Sequence, residues 1–307
     1  MPAVLEGRRI HIAGTVQGIG FRPWVYHAAR NAGVTGRVRN DANGVTIEAF
    51  GDGVNLARFL EALHDPPTAA RIEQFDLADM APEPAATFEI VQSDAGAGCR
   101  VSIPPDLATC GDCHAEIFDR SNRRYRYAFT NCTHCGPRFT IATDVPYDRA
   151  STTMAGFEMC ADCRREYENP DNRRFHAQPN ACPACGPRLT LHAADGIRIH
   201  VDDVVTAAAR GLDEGLIVAL KGIGGFHLAC DATSARAVRR LRERKHREEK
   251  PLAVMVRSLK AAAALGFVGD VERRLLTSSE RPIVLLRKRP NGRTAPARSR
   301  ARSRPAS

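Results

Sequence analysis

Nowhere in the 307 residues does an uninterrupted apolar run approach the ~20 residues that a bilayer-spanning helix needs, so no membrane association is expected. The first residues also lack a positively charged start followed by an apolar run and a small-residue cleavage site. Nothing there directs the chain to an oxidising compartment, which sets aside a disulfide scaffold for its ten cysteines and leads us to expect a cytoplasmic protein. Net positive charge is small over most of the chain too, although the whole carries +9 and a pI of about 9.3. Residues 287–307 hold Arg287, Lys288, Arg289, Arg293, Arg298, Arg300, Arg302 and Arg304 and no acid, and without these eight the net charge is about +1. The basicity belongs to a tail and not to a nucleic-acid-binding body.

Against this background eight cysteines stand out. Cys110 and Cys113 are separated by two residues, eighteen more precede Cys132, and Cys135 closes the set. Cys160, Cys163, Cys182 and Cys185 repeat the arrangement fifty positions on. Two close pairs of thiolates are the spacing of a structural zinc site, with all four ligands sulfur and no position left open for chemistry. The surroundings repeat as well: Arg123-Arg124-Tyr125 returns as Arg173-Arg174-Phe175, and Gly136-Pro137-Arg138 as Gly186-Pro187-Arg188. This is a duplicated module that calls for two zinc ions, with ligands drawn either from one repeat or exchanged between repeats. The Arg-Arg-aromatic triplets can be read as an RNA-binding surface or as a hairpin face packed on its own metal site; the lack of a basic stripe over 110–185 favours the second. His114, His134 and His176 lie near ligands but are expected to be solvated or to support them, not to coordinate. Cys99 and Cys230 fall outside the pattern and read as small buried hydrophobes.

Residues 8–93 alternate between strand and helix patterns. Ile10 and Ile12 alternate with polar residues, and Val25, Ala28, Ala29 and Ala32 follow helical spacing. Val45, Ile47 and Ala49 form a strand after the Asn43-Gly44 turn, and Leu56, Phe59, Leu60 and Leu63 mark a second helix stopped at Pro66-Pro67. Strands around Phe75-Leu77 and Phe88-Ile90 complete a βαββαβ order, the split-βαβ of a ferredoxin-like sandwich. Between its first strand and first helix runs Val16-Gln17-Gly18-Ile19-Gly20-Phe21-Arg22. Glycines let backbone N–H groups point inward, the helix terminus adds partial positive charge, and Arg22 offers a fork of donors, so the loop suits an anion of phosphate size. Asn40, ending the second strand, can hold a water in line with a phosphoryl group there. The plainer reading of such a loop is an ordinary strand-to-helix turn.

Residues 93–109, with Gly96, Gly98, Pro104 and Pro105, suit a linker. From about 200 the pattern becomes α/β. Asp202 or Asp203 caps a helix with a stripe of Val205, Ala208, Ala209 and Leu212, Gly215 ends it, and 216–220 reads as a short buried strand. A second glycine-rich turn follows at 221–228, and Thr233 caps a helix through Val238 and Leu241. That helix runs into Arg244-Lys245-His246-Arg247-Glu248-Glu249-Lys250-Pro251, either a solvated face or a clamp for a nucleotide triphosphate.

Taken together these motifs carry a resemblance. Residues 8–93 look like an acylphosphatase, a family whose motif places the phosphate-binding arginine where Arg22 stands and the water-orienting asparagine where Asn40 stands. The segment from 200, with Lys221-Gly222-Ile223-Gly224-Gly225-Phe226-His227, is similar to a YrdC-like domain. In this order, with tandem four-cysteine fingers between, the chain closely resembles the HypF family, carbamoyltransferases that mature nickel-iron hydrogenases. The resemblance implies hydrolysis of carbamoyl phosphate at Arg22 and Asn40, and activation of carbamate by ATP, taken with Mg, as carbamoyl adenylate. Lys221, His227, Lys245, Arg247 and Lys250 would hold the nucleotide. A further domain would then pass the carbamoyl group to a HypE partner. Since YrdC-like folds also occur in tRNA-modifying enzymes, binding of double-stranded RNA is a rival implication at the level of the fold alone.

The expected fold class is α+β multidomain: a ferredoxin-like (βαββαβ) acylphosphatase domain over 1–93, a linker over 94–109, a tandem four-cysteine zinc-finger module over 110–190, a partial, truncated α/β YrdC-like domain over 200–287, and a basic disordered tail over 288–307. Adenylate formation and transfer are doubtful in a chain so cut, and apolar surface on the incomplete α/β segment is expected to invite aggregation. The tail, low in apolar residues, reads as a shifted frame or a truncated gene model. On that reading, translating the adjacent DNA in the other two frames is expected to yield a family-like continuation, and finding none in either frame removes the explanation.

Overall fold

The computed structural model describes residues 4–94, 102–247, 250–290 and 292. Cys99, Gly96, Gly98, Glu248, Glu249 and the tail from 293 lie outside the described residues. The chain divides into two compact units, one running through Pro187 and the other from Arg188.

The first unit begins with the expected order: β1 (Glu6–Thr15), α1 (Phe21–Ala32), β2 (Thr35–Asn40), β3 (Gly44–Gly51), α2 (Gly53–Ala62), β4 (Arg71–Met80) and β5 (Phe88–Ile90). They build one five-stranded sheet, β4-β1-β3-β2-β5, antiparallel except where the short β5 lies parallel to β2. Alternation places Ile10, Ile12, Val38, Val45 and Ile47 under the two helices, where Val25 and Ala29 of α1 and Leu56 and Phe59 of α2 meet them with no exposed surface beyond 2%. Cutting Phe59 to alanine would cost about 3–5 kcal/mol by transfer and cavity terms. Gly33 ends α1 in the left-handed region at φ 74°, and the Asp52 carboxylate caps α2 by accepting from Asn55 N–H.

The zinc module belongs to this same unit. Each repeat places its first cysteine just before a short helix, Cys110 before α3 (Gly111–Phe118) and Cys160 before α4 (Ala161–Glu168). The Arg-Arg triplets reach across between repeats. Arg123 and Arg124 both donate to Glu166 at 2.6 Å, and Arg173 forms an ion pair with Glu116 at 2.6 Å beside Arg174. Arg124 Nε also meets the Ala181 carbonyl at 2.9 Å, and Arg174 Nε meets its counterpart at Asn131, 3.0 Å away. Thus the triplets pack on the opposite repeat's centre, not on their own: Arg123 lies 3.4 Å from Cys163 Sγ and Arg173 3.0 Å from Cys113 Sγ. Arg124 and Arg174 are almost wholly buried, so these guanidinium groups are committed inside the module and do not form a face for RNA.

The expected linker is also knitted in. The Asp106 carboxylate accepts from the backbone N–H of Arg138 and of Thr140 and from the Thr140 hydroxyl at 2.9, 3.1 and 2.5 Å, and Leu107 bridges Gly136. A carboxylate that caps the turn after Cys135 fixes this stretch although its composition is that of a linker.

In the second unit a small hairpin, β6 (Leu191–His192) and β7 (Arg198–Ile199), precedes α5 (Val204–Asp213), the hairpin β8 (Val218–Gly222) and β9 (Gly225–Ala229), α6 (Ala235–Arg244), α7 (Leu259–Leu265) and α8 (Asp270–Thr277). Asp203 caps α5, but α6 is capped by Ser234, because Thr233 spends its hydroxyl on Asp231. The run 216–220 is not a buried strand: Leu216 and Leu220 are half exposed and Phe226 is 71% exposed. Among the described residues β8 pairs with β9 alone. Lys288 and Arg289, expected at the start of a disordered tail, instead bond back to Gly266 and Leu265, and Phe267 lies between the guanidinium groups of Arg287 and Arg289. No helix of the described residues is long and apolar enough to cross a membrane.

The cross-brace sets a pH signature. Burial would raise the Glu116 and Glu166 carboxyls, but hydrogen bonds and charge from Arg174 and Arg173, and from Arg124, Arg174 and Arg123, hold both below the ordinary carboxylate range. A pKa lowered on folding contributes stability that is complete above the unfolded value and fades as pH falls through the folded one. Glu166→Gln, which leaves Arg124 buried without its counter-ion, is expected to cost about 2–3 kcal/mol in urea unfolding near neutral pH. The gap to the parent should close below pH about 4.

Candidate functional site

The turn between β1 and α1 is held open from beneath. Val16 and Ile19 point into the sandwich core, which leaves Gly18 and Gly20 on the outer side at φ 74° and 78°. At Gly20 a Cβ would come within 2.4 Å of Thr133 Cγ2, so the position demands glycine for space as well as for backbone angle. Gly20 is the residue before α1 and has no side chain to cap it, so the first N–H groups of the helix are available to an anion. Arg22 lies in the first turn, 8% exposed, and Asn40 at the end of β2, 1% exposed. The turn, Arg22 and Asn40 border one cavity of about 30 Å³. Of the residues expected to bind phosphate, Gln17 has another task. Its Nε2 donates to the carbonyls of Asp41 and Gly44 at 2.8 and 2.7 Å, and its Oε1 accepts from Tyr147 N–H at 2.9 Å.

The far wall of that cavity comes from the zinc module, and sequence reasoning does not reach it. Arg22 Nη2 lies 2.6 Å from Asp148 Oδ1 and 3.4 Å from the Tyr147 carbonyl oxygen, while Nη1 donates to Ser93 Oγ at 3.2 Å. Asn40 Nδ2 reaches the same Tyr147 carbonyl at 3.4 Å, and Asn40 Oδ1, buried, meets no donor among the described residues. Arg138 clamps the turn itself: its Nε donates to the Gly18 carbonyl, and its Nη atoms to the carbonyls of Thr133 and Cys135 at 2.7 and 3.0 Å. The bond from Arg138 fixes the Gly18 peptide within the turn. His176 lines the cavity also; burial first, then the Arg22 charge, push its pKa down to about 4, so the imidazole is neutral. As expected it is not a metal ligand, but the cavity, not solvent, is what it faces. The Gly-Pro-Arg repeat is the signal available for Arg138; Asp148 lies between the repeats, where no motif marks it.

The eight cysteines form two groups, Cys110, Cys113, Cys132 and Cys135, and Cys160, Cys163, Cys182 and Cys185, with all Sγ atoms of a group within 4.8 Å of one another. Each group comes from a single repeat. A tetrahedral ion with ~2.3 Å bonds to sulfur requires S–S edges of about 3.8 Å. The measured edges are 3.8 Å for Cys110–Cys132 and Cys132–Cys135, 3.7 Å for Cys160–Cys182 and 3.8 Å for Cys182–Cys185, so the thiols fit zinc. Four sulfur ligands would close each site and give it a structural role. Cys230 stands apart, and burial raises its pKa. The residues expected to hold a nucleotide make local contacts: Lys221 Nζ lies over the Phe226 ring at 5.7 Å, His227 pairs with Leu220 across the hairpin, and Arg247 donates to the Pro251 carbonyl at 3.0 Å. Lys245 ends α6, and Lys250 is exposed.

Comparison with known families divides the chain along the same lines. Acylphosphatase matches residues 8–90, the HypF finger matches 109–142 and 159–192, and a family described as Telomere recombination matches 210–304, a match that runs past residue 287 into the basic segment. The chain is 55% identical over 284 residues to Carbamoyltransferase HypF2 of Cupriavidus necator, covering 92% of this chain and 35% of the relative. It is 48% identical over 288 residues to Carbamoyltransferase HypF of Synechocystis, with 93% and 37% covered. A crystal structure of full-length HypF in its phosphate- and nucleotide-bound form superposes with a TM-score of 0.91 at 42% identity, over 97% of this chain and 39% of that one. The chain thus spans a little over a third of the length of the relatives it matches. With the cradle, both thiol quartets and the α/β segment in the same order and at this level of identity, the chain belongs to the HypF family.

Proposed function

We propose that this chain hydrolyses carbamoyl phosphate, or a closely related acyl phosphate, in the cavity between the 16–22 turn and the zinc module. The observation that carries the reading is the convergence of Arg22, the glycine turn and Asn40 on one cavity, with the Asn40 Oδ1 acceptor buried and without a protein donor among the described residues. Such an acceptor is a seat for a water. Arg22 and the turn amides bind the phosphoryl oxygens and stabilise the charge that builds on them. Asn40 Oδ1 accepts from a water and aims its lone pair at phosphorus. The water oxygen bonds to phosphorus as the bond to the bridging oxygen breaks; carbamate leaves with the electron pair, and the water's proton passes to the phosphate. Because a mixed anhydride has a good leaving group, no general base is required.

In the family reading, the 200–287 segment then activates carbamate with ATP and Mg as carbamoyl adenylate, with Lys221, His227, Lys245, Arg247 and Lys250 toward the phosphates. A full-length relative has been solved with phosphate and nucleotide bound, the two ligands this reading requires of the whole protein. Transfer to a HypE-like acceptor protein, and a cytoplasmic location, complete the proposal for the whole protein. The zinc module would hold the wall of the first chamber in place.

Arg22→Ala is expected to reduce phosphate release from carbamoyl phosphate by at least ~10³-fold, and Asn40→Ala by about 10²–10³-fold, with the fold retained by circular dichroism. Turnover by Arg22→Ala at the parent rate would sink the assignment. Purified chain should carry two zinc ions, and stripping them with a chelator should unfold the module while the far-ultraviolet signal of the sandwich persists.

A further inference from the structure

Where the zinc module meets Arg22 and Asn40 it presents two hydrogen-bond acceptors, the Tyr147 carbonyl in the cavity lining and the Asp148 carboxylate beside it, the wrong chemistry for a phosphate and the right chemistry for the other end of a carbamoyl phosphate. The Tyr147 carbonyl lies 3.4 Å from both Arg22 Nη2 and Asn40 Nδ2, and the Asp148 carboxylate lies 2.6 Å from Arg22 Nη2. Tyr147 is fixed: its N–H is held by Gln17 and its hydroxyl donates to the Pro137 carbonyl at 3.3 Å. Asp148 is free to turn, since its side chain is 29% exposed and its ion pair with Arg22 can be exchanged for another. With Asp148 on Arg22 the cavity, about 30 Å³, has room for about two waters.

We infer that Asp148, with the Tyr147 carbonyl, is the specificity determinant of this site: it gives up Arg22 to the incoming phosphoryl oxygens and accepts from the carbamoyl amino group. This rests on the hydrolytic reading above. An amino group offers two N–H donors to the two acceptors; the methyl group of acetyl phosphate offers none and would leave a carboxylate and a carbonyl unpaired against it. A site built to receive an N–H group rejects the analogue lacking it far more strongly than an apolar pocket can. The sandwich alone has the groups to bind phosphate; discrimination at the carbonyl end comes from the zinc module.

The test is phosphate release from carbamoyl phosphate and from acetyl phosphate by the whole zinc-loaded chain and its Asp148→Ala, Asp148→Glu and Arg22→Ala variants. For Asp148→Ala the ratio of kcat/KM for carbamoyl over acetyl phosphate is expected to fall about 10- to 100-fold, as one hydrogen bond to a charged group commands, and Asp148→Glu should recover part of it. A ratio within about threefold of the parent's overturns the inference, including the case in which both substrates speed up together, which would make Asp148 a plug only. Arg22→Ala reports on the underlying reading separately: loss of both activities upholds it. Retention of both, or a parent that turns over neither substrate, overturns that reading and this inference with it.

Discussion

The guanidinium of Arg124 crossing to Glu166, and that of Arg174 crossing to Glu116, hold the two halves of the zinc module to each other, and the rest of the site hangs on that brace. A zinc ion orders only the few residues around its four thiols. Two such knuckles side by side would have no fixed relation without something rigid between them. The planar guanidinium supplies it, bonding a carboxylate on one edge and a main-chain carbonyl on the other, with a cysteine sulfur of the partner repeat in contact. Once the repeats are locked, Thr133, Arg138 and Tyr147 hold fixed positions over the 16–22 turn, and a cavity exists where the sandwich by itself would have an open surface.

Charge is used here because apolar surface is scarce. The buried apolar cluster of the module consists of Tyr127, Ile141, Tyr147, Met154 and Ala181, far smaller than the core of the sandwich. So few side chains cannot offset the ordering of the whole module, whereas binding a structural zinc contributes folding free energy on the order of 10 kcal/mol. Buried arginines are tolerable only where every donor is met, because a stranded guanidinium costs about 3–5 kcal/mol. Nearly complete pairing at Arg124, Arg138 and Arg174 satisfies that condition.

What the sequence disclosed and what it withheld follow from the range of the interactions. Strand alternation at Ile10, Ile12, Val45 and Ile47 and helical spacing at Val25, Ala29, Leu56 and Phe59 are local, and the elements form where those patterns lie. Cysteine spacing is local as well, since a knuckle is a single turn. Arg22 and Asn40 are legible because each stands at the end of a regular element whose place in the sandwich is set by topology. Asp148 lies 126 residues from Arg22, on irregular backbone just before a short 3-10 turn, and no periodicity encodes a contact of that kind. The run 216–220 departs from expectation for the opposite reason. Its apolar pattern is plain, but burial is a property of what lies alongside, and β9 is the one strand that does among the described residues.

The duplication shows where the cradle was added to a metal-binding frame. Positions that the two repeats share, the cysteines, the Arg-Arg pairs and the glutamates they grip, all serve the metals and the brace. Positions where the repeats part company, in residue type or in what the same residue meets, serve the cavity. Thr133 closes over Gly20, whereas its counterpart Pro183 is exposed; Arg138 is buried against Gly18, whereas Arg188 faces solvent. His176 borders the cavity from the second repeat, at a left-handed φ of 52°, and its counterpart Arg126 has nearly the same φ of 58° but is exposed. A shared backbone with divergent side chains means that zinc and charge fix the module's geometry independently of any one residue committed to the cradle. That is why a single side chain such as Asp148, which binds no metal and belongs to no repeat, can tune which substrate is accepted without disturbing the frame that holds it.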